Sequence, residues 1–490
     1  MEQKIATQGA PAASVRWLAL LGVSMGVLMG TIDGSIVNIA LPTLVRELKV
    51  SFATVQWVVL SYLLVITALL PSAARLGDMV GKKHVYTIGL AVFTIGSLLC
   101  GLAPNSAWLI GFRALQGLGA VLVTALGAAI ITEVFPPQER GRALGVIGAV
   151  VSIGIALGPS LGGVLIGLSG WRSIFLVNIP VGIAAVFMVR RFVPEGQRGA
   201  PGQRFDFVGA ALLSFSLIAF ALALTLGQGW GFTDVRTLGL VGVAGVSLAA
   251  FLIVETRVAQ PMIDLRMFRN GLFSLNLLIG LITFVMLAGN GLVLPFFLEN
   301  VKGFSTIQTG LLLAVIPAIL VIISPISGVL SDRFGPRPII VGGLLLLTIG
   351  MLLASTLSAE VSVIGYLLRV GLIGIGFGVF QSPNNSAIMG AAPRAQLGVA
   401  SGLLALSRTL GQTAGITVMG ALFAGLAIAA GAADLSSASA GAIVAGVQGT
   451  YRVATILAVV TLALAGLSFV RGQRVPVAPA QPIEKPLLAE

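Results

Sequence analysis

Two charges stand inside apolar sequence and are the residues best suited to chemistry: Asp33, in Thr31-Ile32-Asp33-Gly34-Ser35, and Arg113, in Gly111-Phe112-Arg113-Ala114-Leu115. Apolar surroundings disfavour the charged form of a carboxyl group, so a carboxylate there takes up and releases a proton as its neighbours change. It also offers negative charge to a cationic molecule. One carboxylate serving proton and cargo in alternation is the simplest exchange device. The structural alternative is a fixed ion pair, or a capped helix break beside Gly34. Arg113 stays protonated at any physiological pH and needs an acceptor inside the molecule. Asn276, Asn290, Gln381, Asn384, Asn385 and Gln412 also interrupt apolar runs. Each suits the wall of a cavity as well as a bond between helices. Glu299 closes the run Leu294-Pro295-Phe296-Phe297-Leu298-Glu299, where it either draws cations to a mouth or is a solvated helix end.

Other chemistries lack their residues. The chain has no phosphate-binding G-x-x-x-x-G-K-[ST] loop and no metal-ligand cluster. His84, the one histidine, follows Lys82-Lys83 and reads as a surface residue. Cys100, the one cysteine, allows no intrachain disulfide. No cofactor is expected, and the energy source must lie in an ion gradient or in the substrate's own gradient. A membrane-embedded enzyme would need a catalytic cluster at one face, and a channel a continuous polar stripe. Neither pattern is present.

The elements that position these residues are membrane spans. The 490 residues are 57% hydrophobic and 9% charged, whereas a soluble domain carries about 25% charged residues. The apolar residues come in runs near the roughly 20 needed to cross the hydrocarbon layer. Spans are predicted at 17–39, 52–72, 84–103, 107–132, 143–166, 172–190, 207–227, 236–255, 272–298, 308–330, 338–357, 361–386, 398–427 and 449–470. The first run is long for a signal peptide and lacks a small-residue cleavage site, so it is read as a retained helix. The net charge of +12 is scattered through the breaks rather than gathered in a basic domain. A lipid bilayer is therefore the expected partner and nucleic acid is not. Fourteen spans put both termini on one side. That side holds 20 Lys and Arg against 5 on the other, which makes it cytoplasmic by the positive-inside rule.

The chain also repeats. Leu76-Gly77-Asp78-Met79-Val80-Gly81-Lys82-Lys83 after span 2 is matched by Leu330-Ser331-Asp332-Arg333-Phe334-Gly335-Pro336-Arg337 after span 10, at an offset of 254. Pro71 meets Pro325 at the same offset. The expected organisation is a six-helix bundle over 1–205, two inserted spans over 206–256, a second six-helix bundle over 257–475 and a cytoplasmic tail over 476–490. Parallel repeats of six helices are the plan of one transporter fold.

The loop Arg75-Leu76-Gly77-Asp78-Met79-Val80-Gly81-Lys82-Lys83 resembles the signature loop of the major facilitator superfamily, although Ala74 stands where that signature begins with Gly. Gly154-Ile155-Ala156-Leu157-Gly158-Pro159-Ser160-Leu161-Gly162-Gly163 resembles the antiporter signature of its drug exporters. Thr31 to Pro42, Gln56-Trp57 with Tyr62, and Trp171 to Pro180 are similar to motifs of the fourteen-spanner drug:proton antiporter family, and the likeness covers the chain apart from its tails.

The resemblance implies an all-α major facilitator fold and export of amphipathic, cationic small molecules in exchange for protons, by a monomer. It implies proton coupling or substrate contact at Asp33, Arg113, Asn38, Gln56, Tyr62 and Arg408, with Gln381 and Asn384 as cavity candidates. Arg75, Gly77, Asp78, Gly81 and Lys82, with Asp332 and Arg333 in the second half, would form a conformational latch, Asp78 docking near the start of span 13. Arg369 is expected to hold the place of Arg113 in the second half. Gly154, Gly158, Pro159, Gly162 and Gly163 would form the hinge. A dedicated exporter of one metabolite, antibiotic or lipid fits the same residues.

Overall fold

In a computed structural model, residues 13–195, 206–231, 233–258, 261, 263, 265–392, 397–432 and 438–472 are described. The tail expected over 476–490 and the side chain of Asp78 lie outside them. The chain runs through α1 (Ala13–Leu48), α2 (Phe52–Val80), α3 (Lys82–Gly101), α4 (Ser106–Val134), α5 (Pro137–Ser169) and α6 (Ser173–Phe192). Next come α7 (Phe207–Trp230) and α8 (Val235–Arg257). The last six are α9 (Gly271–Phe296), α10 (Thr306–Phe334), α11 (Pro336–Ala354), α12 (Val363–Ala391), α13 (Leu397–Ala429) and α14 (Ala440–Gly472). Thirteen of these are long and apolar enough to cross a membrane, and α5 joins them as two segments bent by 42°.

Every predicted span has its helix, but several ends move. The first helix continues from the predicted 39 to Leu48, through Pro42, and the second from 72 to Val80. The last begins at Ala440 rather than 449. Apolarity marks only the stretch that crosses hydrocarbon; a helix continues beyond it, as here with Arg46 and Arg75, wherever backbone bonding persists. We call the end of the molecule holding the start of α1 and the end of α14 the terminal face, and the opposite end the distal face.

Glycines set the packing inside each half. Gly89 and Gly96 of α3 lie against Gly119 and the backbone of Gln116 in α4. Gly343 and Gly350 of α11 lie in the same way against Gly376 and Ile373 of α12. Small residues at these points let helix backbones approach. The turn glycines Gly81 and Gly335 repeat as well, at φ +112° and +80°; this is backbone that a Cβ disfavours. The packing corrects one expectation. Because Gln116 and Ile373 are equivalent, Arg113 corresponds to the buried Val370 and not to Arg369. A shift of one residue turns a side chain by about 100° around its helix. Arg369 instead bonds Thr356 and the Gly365 carbonyl at the distal end of α12.

The halves meet at the distal end. Phe52 of α2 packs edge-on against Phe296 of α9 and Phe423 of α13, with centroids 5.1 and 5.8 Å away. The inserted hairpin packs α7 on α8, while α7 also touches α2 of one half and α13 of the other. Ser214 of α7 donates to the Ala68 carbonyl at 3.0 Å.

Candidate functional site

The approach of α4 to its neighbours builds the site. Gly96 lets Gln116 come close to α3, and Gly117 sits against the Tyr62 backbone of α2. Arg113 and Gln116 are three residues apart and share a helix face. That face meets Asp33 of α1, Ser97 of α3 and Asn178 of α6. Arg113 Nη1 donates to Asp33 Oδ2 at 2.6 Å and to Gln116 Oε1 at 2.6 Å, and its Nε donates to the Val58 carbonyl at 2.9 Å. Gln116 Nε2 donates to Asp33 Oδ1 at 2.8 Å and to Ser97 at 2.7 Å. Asn178 Nδ2 adds a third donor to Asp33, at 3.1 Å. The guanidinium lies 4.1 Å from the Tyr62 ring centroid, a cation–π distance. Asp33, Arg113, Gln116 and Ser97 are all 0% exposed.

This arrangement changes the reading of Asp33. The sequence left open a carboxylate presented to cargo or a fixed ion pair, and the geometry is the ion pair. Both carboxylate oxygens are taken by donors and no solvent reaches them, so a cation has no access in this conformation. Proton uptake at Asp33 would require Arg113 to rely on Gln116, Val58 and the Tyr62 face. Of the network, Ser97 and Gln116 were not singled out from sequence, and Asn178 entered only within a motif. The available signal was the spacing of Gln116 from Arg113.

The hinge residues divide into two stripes. A Cβ on Gly154 or Gly158 would strike the hydroxyls of Thr31 and Ser35, and one on Gly162 would strike Ile36 and Ile39, all on α1. Gly163 instead lies against the Thr306 carbonyl and Gly310 of α10, in the other half. The 42° bend falls between Ile155 and Leu157. A proline ring clashes with the carbonyl of the residue four before it, and for Pro159 that residue is Ile155.

Other candidates are spread along the cleft. Gln56 donates to the Ile416 carbonyl across the halves at 3.2 Å. Asn38 lies against Gly291 of α9. Arg46 bonds Glu299 at 3.3 Å; the Glu299 side chain is 3% exposed and that of Arg46 55%. Glu299 is thus neither a free mouth group nor a solvated helix end, because it sits in a π-helical turn (Phe297–Val301) whose wider winding carries it inward. Gln381 is half-buried, and Asn384 is buried with Oδ1 unpartnered. In the latch, Gly77 lies against Leu126 of α4, Lys82 pairs with Glu133, Asp332 is exposed, and Arg333 stacks on Phe334. Arg75 is half-buried with an interaction of its own.

Two sets of six helices that repeat each other's packing are the plan of a class of membrane transporter. The profile described as Major Facilitator Superfamily matches residues 23–416, and the chain belongs to that superfamily. Within it the relatives are named as transporters or as drug-resistance proteins. The chain is 36% identical over 412 residues to "Riboflavin transporter RibZ" of Clostridioides difficile (strain 630), covering 84% of this chain and 88% of that one. It is 36% identical over 408 residues to "Multidrug resistance protein Stp" of Mycobacterium tuberculosis (strain CDC 1551 / Oshkosh), covering 83% and 76%. Among solved structures, the bacterial Spinster homologue in an inward-facing, unoccupied conformation superposes with a TM-score of 0.72 at 18% identity, over 96% of this chain and all of that one. The protein is a multi-pass membrane transporter.

Proposed function

We propose that the chain is a proton-coupled antiporter of a cell membrane that exports amphipathic organic molecules by alternating access. The observation that carries the reading is the Asp33–Arg113–Gln116 network: a titratable carboxylate inside a membrane span, held by a permanent cation, bonded from α4 and α6 and joined through Arg113 and Gln116 to α2 and α3. Protonation of Asp33 weakens its hold on Arg113, and deprotonation restores it. That is a two-state element a proton gradient can bias. The Lys and Arg count, 20 against 5, supports a cytoplasmic terminal face. The distal seam through Phe52, Phe296 and Phe423 is then the closed outer end of the cleft.

A preference for cationic cargo came from the resemblance and from a free Asp33 carboxylate, and the pairing of Asp33 with Arg113 removes the second support in this conformation. The multidrug relative favours a broad range of amphipathic cargo, whereas the riboflavin-transporter relative, at 36% identity over most of both chains, favours a transporter dedicated to one compound. The test is transport in proteoliposomes under an imposed pH gradient, with lipophilic cations, neutral drugs and anions, for the intact chain and Asp33→Asn. Gradient-driven export is expected in the intact chain and its loss in the variant. Transport indifferent to the gradient refutes antiport, and unchanged coupling in Asp33→Asn refutes the role of Asp33.

A further inference from the structure

Arg408 differs from the other interior arginine in having no acceptor. Arg113 has a carboxylate, an amide oxygen and a backbone carbonyl. Arg408 makes no hydrogen bond or ion pair among the described residues; its one contact is the Phe284 ring, 5.9 Å from the guanidinium carbon. A guanidinium cannot shed its charge, and in a membrane interior it faces a cavity, water or a partner. Its place on α13 says which. Ser407, Gly411 and Gly415 pack on α9. Ile416 accepts from Gln56 of the first half, and Ala405 packs on that half's core. At about 100° per residue, position 408 falls on the border between these faces. It therefore stands between α9 and the first half, about 12 Å toward the terminal face from the Gln56–Ile416 bond at 1.5 Å rise per residue.

A second orphan lies one helical turn along α9 from the same ring. Asn384 of α12 is 2% exposed and its Oδ1 has no partner. Its amide nitrogen lies 3.2 Å from where a Cβ on Gly280 would stand, one helical turn from Phe284 on the same face of α9. Phe284 in turn meets Phe377 of α12 edge-on, with centroids 5.5 Å apart and planes at 79°. A fixed cation and an unpartnered amide thus flank an aromatic wall of two rings. Among the described residues no carboxylate is within bonding reach of Arg408 to neutralise it.

We propose that Arg408, Asn384, Phe284 and Phe377 form the cargo-recognition site, and that it selects planar aromatic molecules with an anionic or carbonyl edge. Phe284, Phe377 and Asn384 are 7%, 2% and 2% exposed in this conformation, so cargo enters as the halves part: its edge accepts from the guanidinium, the ring system lies on the phenylalanines, and a ring N–H or hydroxyl donates to Asn384 Oδ1. The proposal rests on the export reading for the word cargo, but recognition at Arg408 does not depend on proton coupling. It names a charge class opposite to the one a free Asp33 would select.

Equilibrium binding without any gradient tests it. Three probes share one ring system: 1-pyrenebutyrate, 1-pyrenebutanol and a pyrenebutyl trimethylammonium salt. Each is titrated against the purified full chain in nanodiscs, reading energy transfer from tryptophan to pyrene. In the unaltered chain the anion is expected to bind about tenfold tighter than the cation, the scale of one charge-assisted hydrogen bond. Arg408→Gln is expected to remove that preference, and Arg408→Lys to retain a preference for the anion, since it keeps the charge. Asn384→Asp is expected to weaken the anion alone. Failure of the anion to bind the unaltered chain, equal or tighter binding of the cation, or a preference that survives Arg408→Gln each overturns the proposal. The first two need no variant, so a misfolded substitution cannot hide the answer. Because no proton gradient is present, refutation of antiport leaves this result standing, and the reverse holds too.

Discussion

Asp33→Asn asks how much the fold depends on the buried pair. The substitution keeps volume and one acceptor oxygen but replaces the other with an NH2 group. In place, Asp33 Oδ1 receives Gln116 Nε2 at 2.8 Å and Asn178 Nδ2 at 3.1 Å, and Oδ2 receives Arg113 at 2.6 Å. An asparagine that keeps its oxygen toward Arg113 therefore points its NH2 at two other donors. Rotating Gln116 to relieve this points the Gln116 NH2 at Arg113. No arrangement of the four side chains satisfies them all, and the guanidinium loses its only counter-charge. Removing one member of a buried pair costs about 3–5 kcal/mol. The double variant Asp33→Asn/Arg113→Gln removes both charges and is expected to recover about half or more of that loss. The assay is thermal unfolding of purified protein in nanodiscs, followed by tryptophan fluorescence at fixed scan rate, for the intact chain, both single variants and the double. The expected order is intact, then double, then the two singles. A double variant destabilised by the sum of the singles would show that Asp33 and Arg113 do not act as a unit, and the reasoning would fail.

Two further outcomes concern the seams. Arg46→Gln strands the buried Glu299 carboxylate, whereas Glu299→Gln leaves an arginine whose side chain is 55% exposed. Arg46→Gln should therefore lower stability by about 1–3 kcal/mol and Glu299→Gln by under about 1 kcal/mol; equal losses in the same unfolding assay would refute the burial argument. Gly158→Leu drives a side chain into Ser35 and the Ile36 backbone within one half, while Gly163→Val meets the Thr306 carbonyl across the halves. The first should cost about 1–3 kcal/mol. The second should open the distal seam, read as faster maleimide labelling of Thr306→Cys in a Cys100→Ser background; unchanged labelling would refute the assignment of Gly163 to the seam.

Much of the fold was legible because lipid permits few solutions. An apolar run of span length is a helix, and a repeated loop such as Gly81 and Gly335 carries its backbone with it. What was not legible depends on how helices rotate against each other. Arg369 follows Arg113 at nearly the right offset, yet one residue of slip in the α3–α4 and α11–α12 packing hands its place to Val370. The charges of Asp33 and Arg113 stood out, but their bond joins residues 80 apart in sequence, and nothing local encodes it. Gln116 and Ser97 carry no charge and so gave no warning. Glu299 looked solvated because a π turn cannot be read from composition.

The inserted hairpin gives the duplicated architecture a handed flank. Between two related halves there are two lateral seams, α2 against α13 and α5 against α10. Helix α7 lies on the first, touching both partners, while among the described residues the second has no such roof. A molecule dissolved in the bilayer and approaching sideways therefore meets one shuttered flank and one bare flank. The doubled chain thus presents the bilayer with one covered seam and one uncovered seam.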